Sequence, residues 1–124
     1  MIKSTLLTSI LILTSSAVLA KEMVCPSLES IKAEGISKVK YSWGNYTGCQ
    51  TSQYNTGKTW SLFIENIDAE SAEEAKLVGN QILNRLTEPA IAYDDDGEIL
   101  CKYTHGLDYV QVFAITKEKL CNQL

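Results

Sequence analysis

Four cysteines are the residues of this 124-residue sequence with the most definite chemistry: Cys25, Cys49, Cys101 and Cys121. None of them belongs to a C-x-x-C pair, so their spacing indicates neither a zinc knuckle nor a thioredoxin-type redox site. An even number of cysteines in an exported chain favours two disulfides over a metal site or a catalytic thiol. We therefore predict no metal site and no cysteine nucleophile.

Four cysteines allow three pairings, and the sequence alone does not choose among them. We prefer Cys25–Cys101 with Cys49–Cys121, because this pairing ties each end of the domain to its interior. In the chain-entropy description, disulfides that close such long loops contribute at most roughly 4 kcal/mol each. That figure is comparable to the whole net stability of a small domain, so we expect the disulfides to be the framework of the fold.

Residues 1–20 are typical of a secretory signal peptide. Lys3 is positively charged, residues 6–13 are mostly apolar, and residues 17–20 end the segment with small side chains. Serine and threonine interrupt the apolar run, whereas a transmembrane helix needs about 20 predominantly apolar residues. We expect cleavage after Ala20, a secreted or periplasmic location, no membrane insertion after cleavage, and one domain over residues 21–124.

The charge balance excludes some classes of partner. The formal net charge is −4, and loss of Lys3 with the leader would make it more negative by one. A nucleic-acid-binding protein needs a basic surface that displaces the counterions of phosphate groups. We therefore expect no nucleic acid and no anionic membrane as a partner, and leave open an unknown protein or a small ligand.

Catalytic residues are not apparent. His105 is the only histidine, and it lies beside Gly106 in a predicted turn. Small hydrolases generally bring several His, Glu or Asp side chains together, and no G-x-S-x-G motif is present. We expect the protein not to be an enzyme; a small secreted hydrolase is the alternative if His105 meets at least two carboxylates in a pocket.

The acidic run at residues 94–97 suggests calcium at first sight. Placing Gly97 at the sixth position of an EF-hand loop puts Ala92 first and Tyr103 twelfth, so the required ligands are missing. A hairpin turn with Asp96-Gly97 at its tip explains the same residues.

Aromatic residues are the most suggestive set for binding. Tyrosine and tryptophan combine contact area with one polar group, and they also pack sheets through cross-strand pairs. Tyr46 and Tyr54 flank predicted turns, so we assign them to a possible exposed interaction surface.

The periodicity predicts an α-β-β-β-α-β-β-β order. Cys25-Pro26 opens a short helix that Gly35 ends, and Val39, Tyr41 and Trp43 alternate as the inward side of a strand. Ser71 and Glu74 form a capping box for an amphipathic helix from about Ala72 to Leu86. We expect an α+β fold: an antiparallel sheet of about five to six strands, with one long amphipathic helix packed on one face and a short N-terminal helix.

Several short segments are similar to a known group of proteins: Cys25-Pro26, residues 59–63, the alanine-containing helix, residues 101–103 and residues 112–114. Together they resemble small exported proteins of intracellular Gram-negative pathogens, a group in which one member is named as a hemin-binding protein. The resemblance implies an exported α+β domain with a disulfide between the first cysteine and the cysteine of the Cys-x-Tyr segment. It transfers no ligand site to this sequence.

Three hypotheses follow for the function. The first is an exported, non-catalytic binding or interaction module that faces a host or envelope partner and needs no cofactor. The second is a hemin-binding protein, for which His105 and Tyr103 are the nearby pair able to ligate haem iron. The third is the small secreted hydrolase.

Overall fold

The computed structural model describes residues 24–103, 110–117 and 121–123. The predicted signal peptide and its cleavage site lie outside the described residues, and so does His105. Within these residues the elements, in chain order, are α1 (Leu28–Glu34), β1 (Lys38–Ser42), β2 (Asn45–Ser52), β3 (Trp60–Ile67), α2 (Ala72–Arg85), β4 (Ile91–Asp95), β5 (Glu98–Lys102), β6 (Gln111–Ile115) and a 3₁₀ turn (Cys121–Gln123).

Both helices begin at a serine cap. The hydroxyl oxygens of Ser27 and Ser71 accept hydrogen bonds from the backbone N–H groups of Ser30 and Glu74, respectively, which satisfies a donor that the first turn otherwise leaves unpaired. Helix α1 ends at Gly35, whose φ of 66° lies in the left-handed region that glycine adopts without a Cβ clash. The predicted short N-terminal helix and the predicted capping serine are both present.

The six strands form one antiparallel sheet in the order β1-β2-β3-β6-β5-β4. Two three-stranded meanders meet where β3 pairs with β6, with Leu62 opposite Ala114 and Ile64 opposite Val112. Helix α2 connects the two meanders in sequence. The first strand of each meander lies outermost. Strands β1 and β4 are therefore the two edges of the sheet.

The fold class that we expected is wrong in its helical part. The described part of the chain is mostly a six-stranded sheet, and its two helices are short, with 7 and 14 residues, rather than one long helix. Six strands spaced by about 4.8 Å span about 24 Å, whereas a helix is only about 10 Å wide. Helix α2 packs on β1, β2 and β3, so the apolar face of the other meander needs a second cover.

The N-terminal segment supplies that second cover. Cys25 is bonded to Cys101 of β5, and the Tyr103 hydroxyl donates a 2.6 Å hydrogen bond to the Pro26 carbonyl oxygen. In α1, Ile31 is fully buried in the same core cluster as the inward side chains of β3, β5 and β6. One face of the sheet is thus covered by α2 on one half and by the N-terminal segment with α1 on the other.

Helix α2 packs on the sheet through the Ile36 side chain, which contacts the backbone of two glycines. The Ile36 side chain inserts between Gly48 of β2 and Gly79 of α2, where a Cβ on either glycine would collide with it. The Ile36 backbone N–H donates a 3.0 Å hydrogen bond to the Asn80 side-chain oxygen. The two glycines therefore leave the space that the Ile36 side chain occupies between helix and sheet.

A smaller apolar cluster lies on the opposite face of the sheet. The Phe63 and Phe113 rings stack with centroids 5.3 Å apart, and Cys49 is bonded there to Cys121. The two disulfides thus have the preferred pairing and fasten chain segments to opposite faces of the sheet. Among the described residues, no helix is long and apolar enough to cross a membrane.

Removal of the Cys25–Cys101 disulfide tests the role of the second cover. We expect Cys25→Ser with Cys101→Ser to lower the free energy of unfolding by about 2–4 kcal/mol, measured by urea denaturation without reductant. The matched control is Cys49→Ser with Cys121→Ser, because the two bonds span similar separations of 76 and 72 residues. The first pair should cost more, since it also releases the cover of β5 and β6; equal or reversed losses would contradict this role.

Candidate functional site

The turn between β1 and β2 presents the most exposed large apolar side chain of the described residues. Trp43 is 97% exposed. Ser42 pairs with Asn45, so Trp43 and Gly44 form a two-residue turn, and both have positive φ, 55° and 89°. This is the backbone pattern of a type I′ turn, in which asparagine or aspartate followed by glycine is the ordinary choice.

The turn between β4 and β5 shows that ordinary choice in the same molecule. Asp95 pairs with Glu98 around Asp96 and Gly97, whose φ values are 51° and 85°. The two turns therefore have the same backbone pattern and differ in the first residue. A large side chain in the left-handed region is uncommon and costs about 1–2 kcal/mol, so tryptophan at position 43 is unfavourable for the turn itself.

Two tyrosines support the tip of this hairpin. Tyr41 of β1 is 59% exposed, and its ring meets the Tyr46 ring edge to face, with centroids 5.2 Å apart. Tyr46 is half-buried and packs against the main core cluster, so it fixes Tyr41 to the body of the protein. We call Tyr41, Trp43 and Tyr46 the aromatic tip.

The chemistry of the aromatic tip is apolar and neutral. No residue from 41 to 46 carries a charge, and their polar groups are hydroxyls, one amide and the indole N–H of Trp43. Trp43 stands almost fully in solvent, whereas small molecules are generally held in concave sites. This surface is suited to contact with another macromolecule through apolar area and neutral hydrogen bonds.

The residues assigned to an interaction surface from the sequence are placed differently from one another. Tyr46 belongs to the aromatic tip but is only half-exposed, whereas Tyr54 is buried, with 3% of its surface exposed. Tyr54 faces inward because the loop after β2 folds back: the Thr56 N–H donates to the Gln53 carbonyl, and the Thr56 hydroxyl accepts from Trp60 Nε1 at 2.8 Å. The most exposed aromatic residue is Trp43, which the alternation of the sequence predicts on the inward side of a strand; Tyr41, predicted on the same side, is 59% exposed.

Tyr103 is also buried, with 1% of its surface exposed. Its hydroxyl donates its hydrogen bond to the Pro26 carbonyl oxygen. The pKa of the Tyr103 phenol is raised well above its ordinary value, mainly by burial and to a smaller extent by the neighbouring Tyr54. A tyrosine that ligates haem iron needs an accessible oxygen in its ionised form. In this arrangement Tyr103 does not offer one, and His105 lies outside the described residues.

The hydroxyl of Tyr54 contrasts with that of Tyr103. Among the described residues it has no hydrogen-bond partner, although it is fully enclosed. Burial, and then the nearby Glu34 carboxylate, raises the pKa of the Tyr54 phenol well above its usual range. Both effects disfavour the phenolate, so both buried tyrosines are neutral at physiological pH.

Two clefts of about 400 Å³ each flank the segment from Cys25 to Leu28. Within residues 24–103, 110–117 and 121–123, no group of three or more His, Cys, Asp or Glu side chains is placed to hold a metal ion. Asp96 lies in the tip of the β4–β5 hairpin, as the sequence predicts.

The fold and the aromatic tip define a small disulfide-linked domain of mixed helix and sheet with one protruding aromatic hairpin. The family model described as a domain of unknown function, DUF4949, matches residues 24–124. The chain therefore belongs to this family. No curated protein and no solved structure matches the chain.

A pair of tyrosine substitutions tests the two buried hydroxyls. Tyr54→Phe should leave the free energy of unfolding unchanged or raise it by about 1 kcal/mol, because it removes an unpaired buried group. Tyr103→Phe should lower it by about 1–2 kcal/mol, because the Pro26 carbonyl loses its donor. Urea denaturation of both variants beside the wild type measures the difference; a larger loss in Tyr54→Phe than in Tyr103→Phe would refute the assignment.

Alkaline pH should destabilise the fold through the same two groups. In the unfolded chain tyrosine ionises near pH 10, whereas in the fold the pKa of both phenols is raised. The stability that these two phenols contribute is therefore fully present below about pH 10. It decreases as the pH rises further, because the unfolded chain loses these protons while the folded protein keeps them. Urea midpoints on either side of that pH measure the loss. Tyr103→Phe should make the loss shallower, because it removes one of the two buried phenols whose pKa is raised.

Proposed function

We propose that this protein is an exported, non-catalytic binding module whose aromatic tip engages a partner protein of the host or of the cell envelope. The observation that carries the proposal is Trp43, almost fully exposed in a left-handed position of a tight turn. Its side chain gains no burial in the domain to offset the backbone cost. A binding partner that covers the ring would provide that burial.

The proposal rests on the energetic role of buried aromatic side chains in interfaces. Tryptophan and tyrosine are enriched among the residues that dominate binding energy, which generally lie at the centre of a contact. Trp43 has the position of such an anchor, and Tyr41 and Tyr46 surround it with further contact area. Because the tip is uncharged, its contribution to affinity should depend little on salt.

The two disulfides also bear on the cellular location. Two disulfides in a small domain are typical of proteins in an oxidising compartment. We propose that residues 1–20 direct export and are removed, and that the mature domain acts in the periplasm or outside the cell.

Replacing Trp43 by asparagine separates binding from folding. Trp43→Asn should raise the free energy of unfolding by about 0.5–1 kcal/mol, because asparagine tolerates the left-handed backbone. The same substitution should abolish partner capture, measured by cross-linking the oxidised mature domain in host and envelope extracts and identifying bound proteins by mass spectrometry.

The matched control is Asp96→Asn, which makes the equivalent change at the first position of the other two-residue turn. A specific partner must be retained by Asp96→Asn and at high salt, and lost with Trp43→Asn. If Trp43→Asn captured the same proteins as the wild type, the aromatic tip would not be the binding surface. If Trp43→Asn lowered the free energy of unfolding, tryptophan would not be unfavourable for this turn, and the proposal would lose that support.

A further inference from the structure

The two edge strands of the sheet are complementary in charge, and this complementarity is independent of the aromatic tip. The edge strand β1 carries Lys38 and Lys40, both exposed, whereas β4 and its turn carry Asp94, Asp95 and Asp96. In the sheet of the described residues, β1 and β4 each have a neighbouring strand on one side only. Unpaired edges of this kind are templates for pairing with another chain.

The hydrogen-bonding groups of each edge follow from the register. In two-residue hairpins the pairs beside the turn, here Ser42–Asn45 and Asp95–Glu98, are the hydrogen-bonded pairs, and bonding alternates along the strand. On β1, the backbone groups of Val39 and Tyr41 therefore point away from β2. On β4, those of Ala92 and Asp94 point away from β5.

We propose that copies of this chain associate head to tail, with β1 of one copy adding antiparallel to β4 of the next. Matching the outward-pointing groups gives Val39 opposite Asp94 and Tyr41 opposite Ala92. In this register all five residues of each strand find a partner. Because β1 and β4 run in opposite directions within one sheet, the sheet continues from copy to copy with the helices on the same side.

The same register brings opposite charges together. It places Lys38 opposite Asp95, and both side chains lie on the sheet face that α2 does not cover, because their strand neighbours Cys49 and Glu98 lie there too. Directly opposed unlike charges stabilise a strand pair. The Lys38 ammonium already donates to the Cys121 carbonyl oxygen at 3.2 Å and retains two further donors for the carboxylate.

Pairing of identical edges is disfavoured by the same charges. Two β1 edges would bring lysines near lysines, and two β4 edges would bring aspartates near aspartates. Like charges directly opposite one another destabilise strand pairs, so the edges discriminate against a symmetric dimer. Head-to-tail contacts leave a free edge at each end and produce an open series of copies unless rotation closes a ring.

Sedimentation velocity of the oxidised mature domain, from micromolar to millimolar concentration, tests the proposal. The wild type should associate beyond a dimer as its concentration rises, and added salt should weaken the association because the Lys38–Asp95 pair is at the surface. A wild type that stays monomeric at millimolar concentration would overturn the proposal, and the edge charges would then serve only to prevent aggregation.

Charge exchange identifies the contact. Lys38→Glu or Asp95→Lys alone should reduce the association constant about fivefold, and the two together should restore it. Asp94→Pro removes the outward N–H and should abolish association, whereas Asp94→Ala, which keeps that N–H, should retain it. Far-UV circular dichroism and a thiol assay establish that each variant is folded and oxidised.

Failure of restoration in the double variant, or association by Asp94→Pro equal to that of Asp94→Ala, would refute this pairing. Trp43→Asn should associate as the wild type does, because position 43 lies outside the paired residues. The result for the sheet edges is thus independent of the result for the aromatic tip.

Discussion

The apolar face of the six-stranded sheet is wider than a single 14-residue helix, and the rest of the fold depends on how that face is covered. Helix α2 covers β1 to β3, and the remaining half is covered by a segment that precedes the first strand. That segment is too short to hold its place by helix formation alone, since isolated helices below about 12 residues are marginal in water. The Cys25–Cys101 bond and the Tyr103–Pro26 hydrogen bond fix it to β5 instead.

Two aromatic residues in left-handed backbone positions have opposite environments. Tyr54, with φ of 48°, is buried and gains the packing of the core, and the Thr56 hydroxyl holds its loop together. Trp43, with φ of 55°, gains no comparable packing. Residues in unfavourable backbone regions persist where the surrounding structure compensates them, and they concentrate at functional sites. For Tyr54, packing inside the domain offsets the backbone cost. For Trp43, the proposed binding partner would offset it.

The sequence predicts local features well where one interaction decides them. Ser71 and Glu74 mark the start of α2, and Asp96-Gly97 marks a turn, because capping and left-handed backbone act over a few residues. The start of β2 at Asn45 has no clear signal in the sequence, since Gly44 and Gly48 are four residues apart and resemble a loop. Gly48 is there because Ile36 needs the space, and that contact between distant segments leaves no local pattern.

The burial of Tyr54 and the exposure of Trp43 escaped prediction for a related reason. Alternation assigned Trp43 to the inward side of a strand, but the strand ends at Ser42 and the tryptophan enters the turn. Gly44 was the available signal, because a single glycine after an alternating run is compatible with a two-residue turn. Tyr54 adjoins a turn, yet the turn folds inward, and a sequence pattern does not give that direction.

Chain topology also decides which strands become edges. The pairing of β3 with β6 joins the last strand of each meander, which leaves the first strand of each, β1 and β4, outermost. The lysines of β1 and the aspartates of β4 therefore lie at opposite edges of the sheet. The disulfides fasten segments to the two faces and leave both edges without a covalent constraint. Faces and edges are thus governed by different interactions: the faces by burial and sulfur bonds, the edges by unpaired backbone groups and charge.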